Sequence, residues 1–340
     1  MKEFLRKKNI IFSAKRYGID ALGAMAQGLF ASLLIGTIIS TLGEQLGIGI
    51  LVTVGGYAKG ATGAAMAISI GVALQCPPLV LFSLAAVGMA ANELGGAGGP
   101  LAVLVVTIFA AEFGKLVSKE TKIDIIVTPF VTICVGVLLS LGCAPAIGAA
   151  ASTVGTAIMW ATELQPFFMG IIVSVIVGIA LTLPISSAAI CAALSLTGLA
   201  GGAAVAGCCA QMVGFAVMSF KENKWGGLFA QGIGTSMLQM GNIVRNPKIW
   251  IPPTLASMVT GPLSTMVFHL ENIPAGSGMG TCGLVGPIGI YTAMQGSGNS
   301  MMWPGILLIC FVLPAVLTLF FGALCRKAGW IKEGDLKLDL

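Results

Sequence analysis

Long apolar blocks, broken by short polar or glycine-proline interruptions, make up most of this chain. Residues 19–41 are long enough to cross a hydrocarbon core, which takes about 20 apolar residues. Residues 61–76 and 79–91 form two shorter apolar runs split by Pro77-Pro78. Residues 101–116, 123–141 and 167–183 read as spans, and 142–165, with Trp160 and Glu163 ahead of Pro166, reads as an interfacial segment. A hairpin around Gly201-Gly202 is expected to join 185–199 to 203–220. The stretch 226–242 is too short and too polar to span and lies between Lys221/Lys224 and Arg245/Lys248, so it predicts a segment that dips in and returns. Residues 251–270 cross again, about 272–300 fold back, and 304–324 return to Arg326 and Lys327. The pattern predicts an all-α polytopic membrane protein with about ten transmembrane helices and two re-entrant glycine-rich hairpins. Residues 1–18 form a basic cytoplasmic segment, 19–325 the membrane domain and 326–340 a cytoplasmic tail.

Composition strengthens that picture. Of 340 residues, 56% are hydrophobic and only 9% charged, against about 25% charged in a typical soluble domain. Lys2, Arg6, Lys7, Lys8, Lys15 and Arg16 oppose a single Glu3 at the start, which places this end inside by the positive-inside rule. The same stretch can also lie on the membrane surface through Phe4, Leu5, Ile10, Ile11 and Phe12. The net charge of +5 sits at segment ends, where topology needs it, and is no nucleic-acid signature. Nine cysteines show no CxxC pair and no His/Cys cluster with ligand spacing, so small apolar packing residues are expected and neither metal nor cofactor. One histidine admits no Ser/His/Asp arrangement, and 95–99 lacks the Gly-Lys-Ser/Thr of a phosphate loop; no catalytic residue is expected.

Residues 266–295 concentrate the remaining chemistry. They hold the single histidine, His269, then Glu271 and Asn272, followed by glycines at 276, 278, 280, 283, 286 and 289. Backbone that breaks at membrane depth needs protein or a wet cavity to satisfy its freed N–H and C=O groups. An ionisable group there is a functional candidate. A carboxylate accepts two hydroxyl hydrogens, the geometry a sugar ring presents, and histidine both donates and accepts. His269, Glu271, Asn272, Gly276, Gly278 and Thr281 are therefore expected to bind a small polar solute. The competing reading puts His269 and Glu271 in water at the outer end of a span. Asn92 and Glu93, before Gly95-Gly96, form the counterpart, with helix capping as the alternative. Gln231, Gln239 and Asn242 share one helical face by spacing, lining a polar path or joining helices by hydrogen bonds. Gly28-Leu29-Phe30-Ala31 with Gly36-Thr37 echoes Gly227-Leu228-Phe229-Ala230 with Gly234-Thr235, the kind of internal likeness transporters carry.

Residues 18–38, the Asn-Pro-Lys-Ile-Trp-Ile-Pro-Pro segment at 246–253 and Gly-Pro-Leu-Ser-Thr at 261–265 resemble the phosphotransferase-system EIIC membrane proteins, in the branch with the perfringolysin-regulator-type proteins. The likeness implies a homodimeric, multi-pass permease of the bacterial cytoplasmic membrane that binds a sugar by a His and a Glu near the hairpins. It also implies a separate cytoplasmic EIIB-type partner, since no soluble domain is present. His269 and Glu271 are the matching positions, but their spacing departs from the Gly-Ile-Thr-Glu-Pro or Asn-Glu-Pro pattern of the better-known branches. Two further readings stay open: a membrane-bound regulator or sensor using the same pocket, and a non-phosphorylating carrier of a small organic acid.

Overall fold

The computed structural model describes residues 2–338. It is 82% helical, with no strand among the described residues; one isolated antiparallel bridge joins Gly198 to Asn272. Five helices are long and apolar enough to cross a membrane: Arg16–Leu46, Pro78–Val117 (with a break at Gly96), Asp124–Thr162, Gly198–Met218 and Met302–Lys327. Shorter apolar helices cover Thr62–Ala73, Pro166–Thr182 and Cys282–Met294. The chain divides into two compact units, Met1–Ala151 and Ser152–Leu340.

In the first unit, the helix Arg16–Leu46 contains π turns at Arg16–Asp20 and Phe30–Leu34. It ends on left-handed Gly47 and returns antiparallel through Gly49–Gly60. Thr62–Ala73 and Pro78–Gly95 cross where Gly63 and Gly88 meet backbone to backbone: a Cβ on either would fall within 2.3 Å of the other's carbonyl oxygen. Such close crossings suit helices that hydrophobic exclusion cannot drive together in lipid. Pro78 is pre-set for a helix start, and the break at Gly95–Gly98 turns the chain into Gly99–Val117. Exposed Phe82, Ile125, Phe130 and Leu138 are apolar and large, as an acyl-facing surface requires.

The second unit is built around Gly198–Met218, 94% buried over its apolar window. Pro166–Thr182, Ile251–Pro262 and the C-terminal helix pack against it. Two expectations change here. Gly201-Gly202 is not a turn but lies inside the first turns of this helix; a Cβ on Gly202 would sit 1.8 Å from the Leu270 carbonyl oxygen, so the pair serves close approach. The hairpin bend lies earlier, around the seven-residue helix Ser187–Ala193. Residues 142–165 are not a separate interfacial segment either: one helix runs Asp124–Thr162, with Pro129 and Pro145 inside it.

Candidate functional site

Both segments expected to break do break. Phe220–Phe229 kinks at Lys224, passes through a π turn at Ala230–Gly234, becomes extended at Thr235 and restarts as Ser236–Gln239. In the second segment, the chain leaves Ile251–Pro262 through a π turn at Leu263–Val267. It then enters a left-handed conformation at His269 (φ 47°). The short helix Pro274–Ser277 follows, then positive-φ Gly280, Gly283 and Leu284, and then Val285–Met294.

The two breaks touch. The Thr281 hydroxyl donates to the Gly232 carbonyl at 2.5 Å, with Thr281 fully buried. Gly280 presses on the backbone of Cys208 in the central helix, where a Cβ would lie 2.9 Å from the Cys208 carbonyl carbon. One carbonyl of the π turn at Ala230–Gly234, that of Gly232, thus meets a hydroxyl from the other break, as non-helical backbone inside protein requires.

Asn272 organises the second hairpin. Its Oδ1 accepts from the Ile273 N–H at 2.8 Å, its Nδ2 donates to the Gly286 carbonyl at 3.3 Å, and its N–H donates to Gly198 at 3.2 Å. Gly276 and Gly289 close over it: a Cβ on either would approach Oδ1 to 2.5 and 2.2 Å. Gly278 is held through its carbonyl by the Ser187 hydroxyl (2.7 Å), and Ser277 donates to Leu196 (2.8 Å). His269 and Glu271 have exposed side chains, while Asn272, Gly276, Gly278 and Thr281 are buried.

Gln231, Gln239 and Asn242 form one buried chain of amides. Gln231 Nε2 donates to the Ser219 hydroxyl (2.8 Å) and Gly227 carbonyl (3.0 Å). Gln239 Nε2 donates to Gln231 Oε1 (2.9 Å), and Asn242 Nδ2 to Gln239 Oε1 (2.8 Å). Asn92 and Glu93 belong to the first unit, at the end of Pro78–Gly95. Glu93 is exposed; Asn92 is half-buried and packs through its Oδ1 on Gly99.

Two polar clusters escaped the reading of the sequence. Beside Ser236, the Thr182 hydroxyl lies 2.8 Å from the Ser236 hydroxyl and 3.4 Å from Gln211 Oε1. Gln211 also accepts from Trp250 Nε1 (2.9 Å) and donates to Thr254 (3.3 Å). Gln211 is the only amide in an otherwise apolar 21-residue helix, and that isolation was the available signal. In the first unit, buried Glu112 pairs with Lys115 at 2.8 Å and accepts from Tyr17 at 2.9 Å. Lys115 Nζ also donates to the Asn9 and Leu74 carbonyls, and Arg16 to Leu74 and Asn9 Oδ1. An acid three residues before a lysine within an apolar run announces such a pair. Its donors and acceptors are turned onto the N-terminal segment, which it pins.

The echo between Gly28-Leu29-Phe30-Ala31 and Gly227-Leu228-Phe229-Ala230 coincides with a shared backbone feature. A π turn begins at Phe30 in one and at Ala230 in the other.

Among the curated proteins and solved structures compared with the chain, none gives a significant match. A chain of apolar helices, with two broken segments meeting in a buried polar interior, is matched over residues 19–338 by the family described as Phosphotransferase system, EIIC, and belongs to that family.

Proposed function

We propose that the chain is an EIIC-type permease that binds a small polar solute, most simply a sugar, and carries it across the bacterial cytoplasmic membrane by alternating access. EIIC domains are the membrane components of phosphotransferase-system transport and are not themselves catalytic; the family implies EIIB- and EIIA-type partners and a transported solute. In this reading about ten spans and two re-entrant hairpins, with both termini cytoplasmic, form a homodimer. His269 and Glu271 meet the solute's hydroxyls at the entrance. Asn272, Gly276, Gly278 and Thr281 shape the hairpin behind them. Gln231, Gln239 and Asn242 serve a polar path, and Asn92 and Glu93, in the first unit, are the counterpart of His269, Glu271 and Asn272.

One observation carries the proposal: the hydrogen bond between Thr281 and Gly232, which joins two helix breaks inside a buried polar interior. Solute sites of transporters form where discontinuous helices meet. The test is binding of a sugar panel to purified protein, with Glu271→Gln and His269→Ala. Unchanged affinity for a sugar that binds the parent protein removes both residues from the site.

The regulator reading draws on a different observation, the fastening of the cytoplasmic amides to the C-terminal tail. Uptake into proteoliposomes separates the two: flux supports a permease, and binding without flux supports a sensor.

A further inference from the structure

After Lys327 the chain turns on Gly329 (φ 71°) and runs back along the segment 219–246. Side-chain amides read its main chain along the way. Asn246 Nδ2 donates to the Trp330 carbonyl at 3.0 Å and to Asp335 Oδ2 at 2.7 Å. Asn223 grips residues two apart, donating to the Leu336 carbonyl and accepting from the Leu338 N–H, both at 2.8 Å. Gln239 donates to Leu336 at 3.1 Å and Asn242 to Lys337 at 2.9 Å. Glu222 accepts from the Gly334 N–H at 3.3 Å, and Lys248 lies 5.8 Å from the Trp330 ring centroid. Ile331 and Leu336, apolar residues in a charged tail, are buried at 3% and 0% exposure.

The count of donors decides what this means. A side-chain NH2 group has two hydrogens. Gln239 spends one on Gln231 and the other on Leu336; Asn242 spends one on Gln239 and the other on Lys337. While the tail is seated, neither amide has a hydrogen left for a hydroxyl or carbonyl of any other molecule. A merely structural tail needs the buried Ile331 and Leu336; it does not need to take the one remaining hydrogen of both Gln239 and Asn242.

We propose that residues 330–338 are a built-in occupant of the amide row, an autoinhibitory strap that solute must displace to reach Gln239 and Asn242. The proposal rests on the reading of these amides as solute contacts. A ligand whose competent state is a minor one binds more weakly by that fraction. Releasing the strap therefore raises apparent solute affinity, on the order of tenfold for a tail seated nine-tenths of the time.

The test compares the full chain, the full-length Asn223→Ala variant and a chain ending at Ala328. Asn223 holds the tail but lies outside the proposed solute contacts. Two measurements are made: hydrogen exchange of the 330–338 amides, and equilibrium binding of radiolabelled glucose, N-acetylglucosamine and mannitol. We expect slow exchange in the parent chain, faster exchange in Asn223→Ala, and tighter binding in both variants. The added affinity should vanish when Gln239→Ala is introduced into Asn223→Ala. Unprotected tail amides in the parent chain refute the strap. So does equal sugar affinity in all three forms, with the site itself then left standing. A gain that survives Gln239→Ala overturns the competition for this amide. Absence of binding by every form removes the sugar site, and the strap's role with it.

Discussion

Replacing Gly202 by alanine tests the seat of the second hairpin directly. In an exposed helix this exchange is favourable by up to about 1 kcal/mol, because glycine is the more flexible residue. At position 202 the new Cβ would lie 1.8 Å from the Leu270 carbonyl oxygen and 2.6 Å from its carbon, where ordinary contact begins at 3.4 Å. Two backbones must therefore part by roughly 1.6 Å, an over-packing that costs about 1–3 kcal/mol. The parting also strains the bond from Ser264 Oγ to the Gly202 carbonyl, now 3.0 Å, a further contribution of about 1 kcal/mol. Set against the propensity gain, the net loss is roughly 2 kcal/mol, and with an unfolding entropy of about 0.7 kcal/mol/K for 340 residues it corresponds to a melting temperature lower by roughly 3 °C. Thermal unfolding of the detergent-purified protein measures it, with Gly56→Ala as the reference, because a Cβ at Gly56 meets nothing within 4 Å. Gly56→Ala should melt a little higher than the parent and Gly202→Ala a few degrees lower. If both shift upward alike, the helix and hairpin are not in tight backbone contact and the placement of 269–272 is wrong.

Three further outcomes follow from the same geometry. Thr281→Val leaves the Gly232 carbonyl without its hydroxyl donor; it should cost about 1–3 kcal/mol in a melt and speed hydrogen exchange at residues 232–235, and unchanged exchange would argue against a joint between the breaks. Glu112→Gln strands the buried Lys115 amine and should lose about 3 kcal/mol, while the double variant Glu112→Leu with Lys115→Met recovers most of it; a double variant no better than the single would refute pairing as the cause. His269 sits at φ 47°, where a non-glycine residue pays roughly 1–2 kcal/mol. His269→Gly should therefore melt at or above the parent while losing sugar affinity, and His269→Val should melt below it.

How much of this was readable in the residues varies with the physics involved. The break at 226–242 was legible because the stretch is too short and too polar to span and lies between basic clusters, and the one beyond 269 because glycine and proline crowd an apolar stretch; the chain does break in both. The length of Asp124–Thr162 was not. Pro145 and the small residues after it look like an ending, yet a proline in the middle of an apolar helix removes one hydrogen bond and the rest of the helix carries on. Gly201-Gly202 misled for the opposite reason: the same residue pair permits a turn or a close approach, and only the partner, Leu270, decides which. Gln231, Gln239 and Asn242 do not share one helical face, because the chain is extended at Thr235 between them; their side chains meet all the same, and nothing local could reveal that Gln239 and Asn242 also find partners about a hundred positions away in the tail. His269 and Glu271 drew notice as charges in an apolar stretch, and whether they stand at the surface or in the interior depends on the left-handed turn at His269.

The helix Asp124–Thr162 has 39 residues, so it extends about 58 Å at 1.5 Å per residue. The hydrocarbon slab is only about 30 Å thick. The portion ahead of Pro145 is, at roughly 31 Å, already a full crossing, which leaves a rod of comparable length with nowhere to go but along the headgroups or out of them. Lipid chain length thereby sets how deep Pro145 lies, and a thicker bilayer draws the overhanging end inward. A helix longer than the slab answers a change in thickness by tilting or by covering more of its end, so the melting temperature should differ between short- and long-chain lipids.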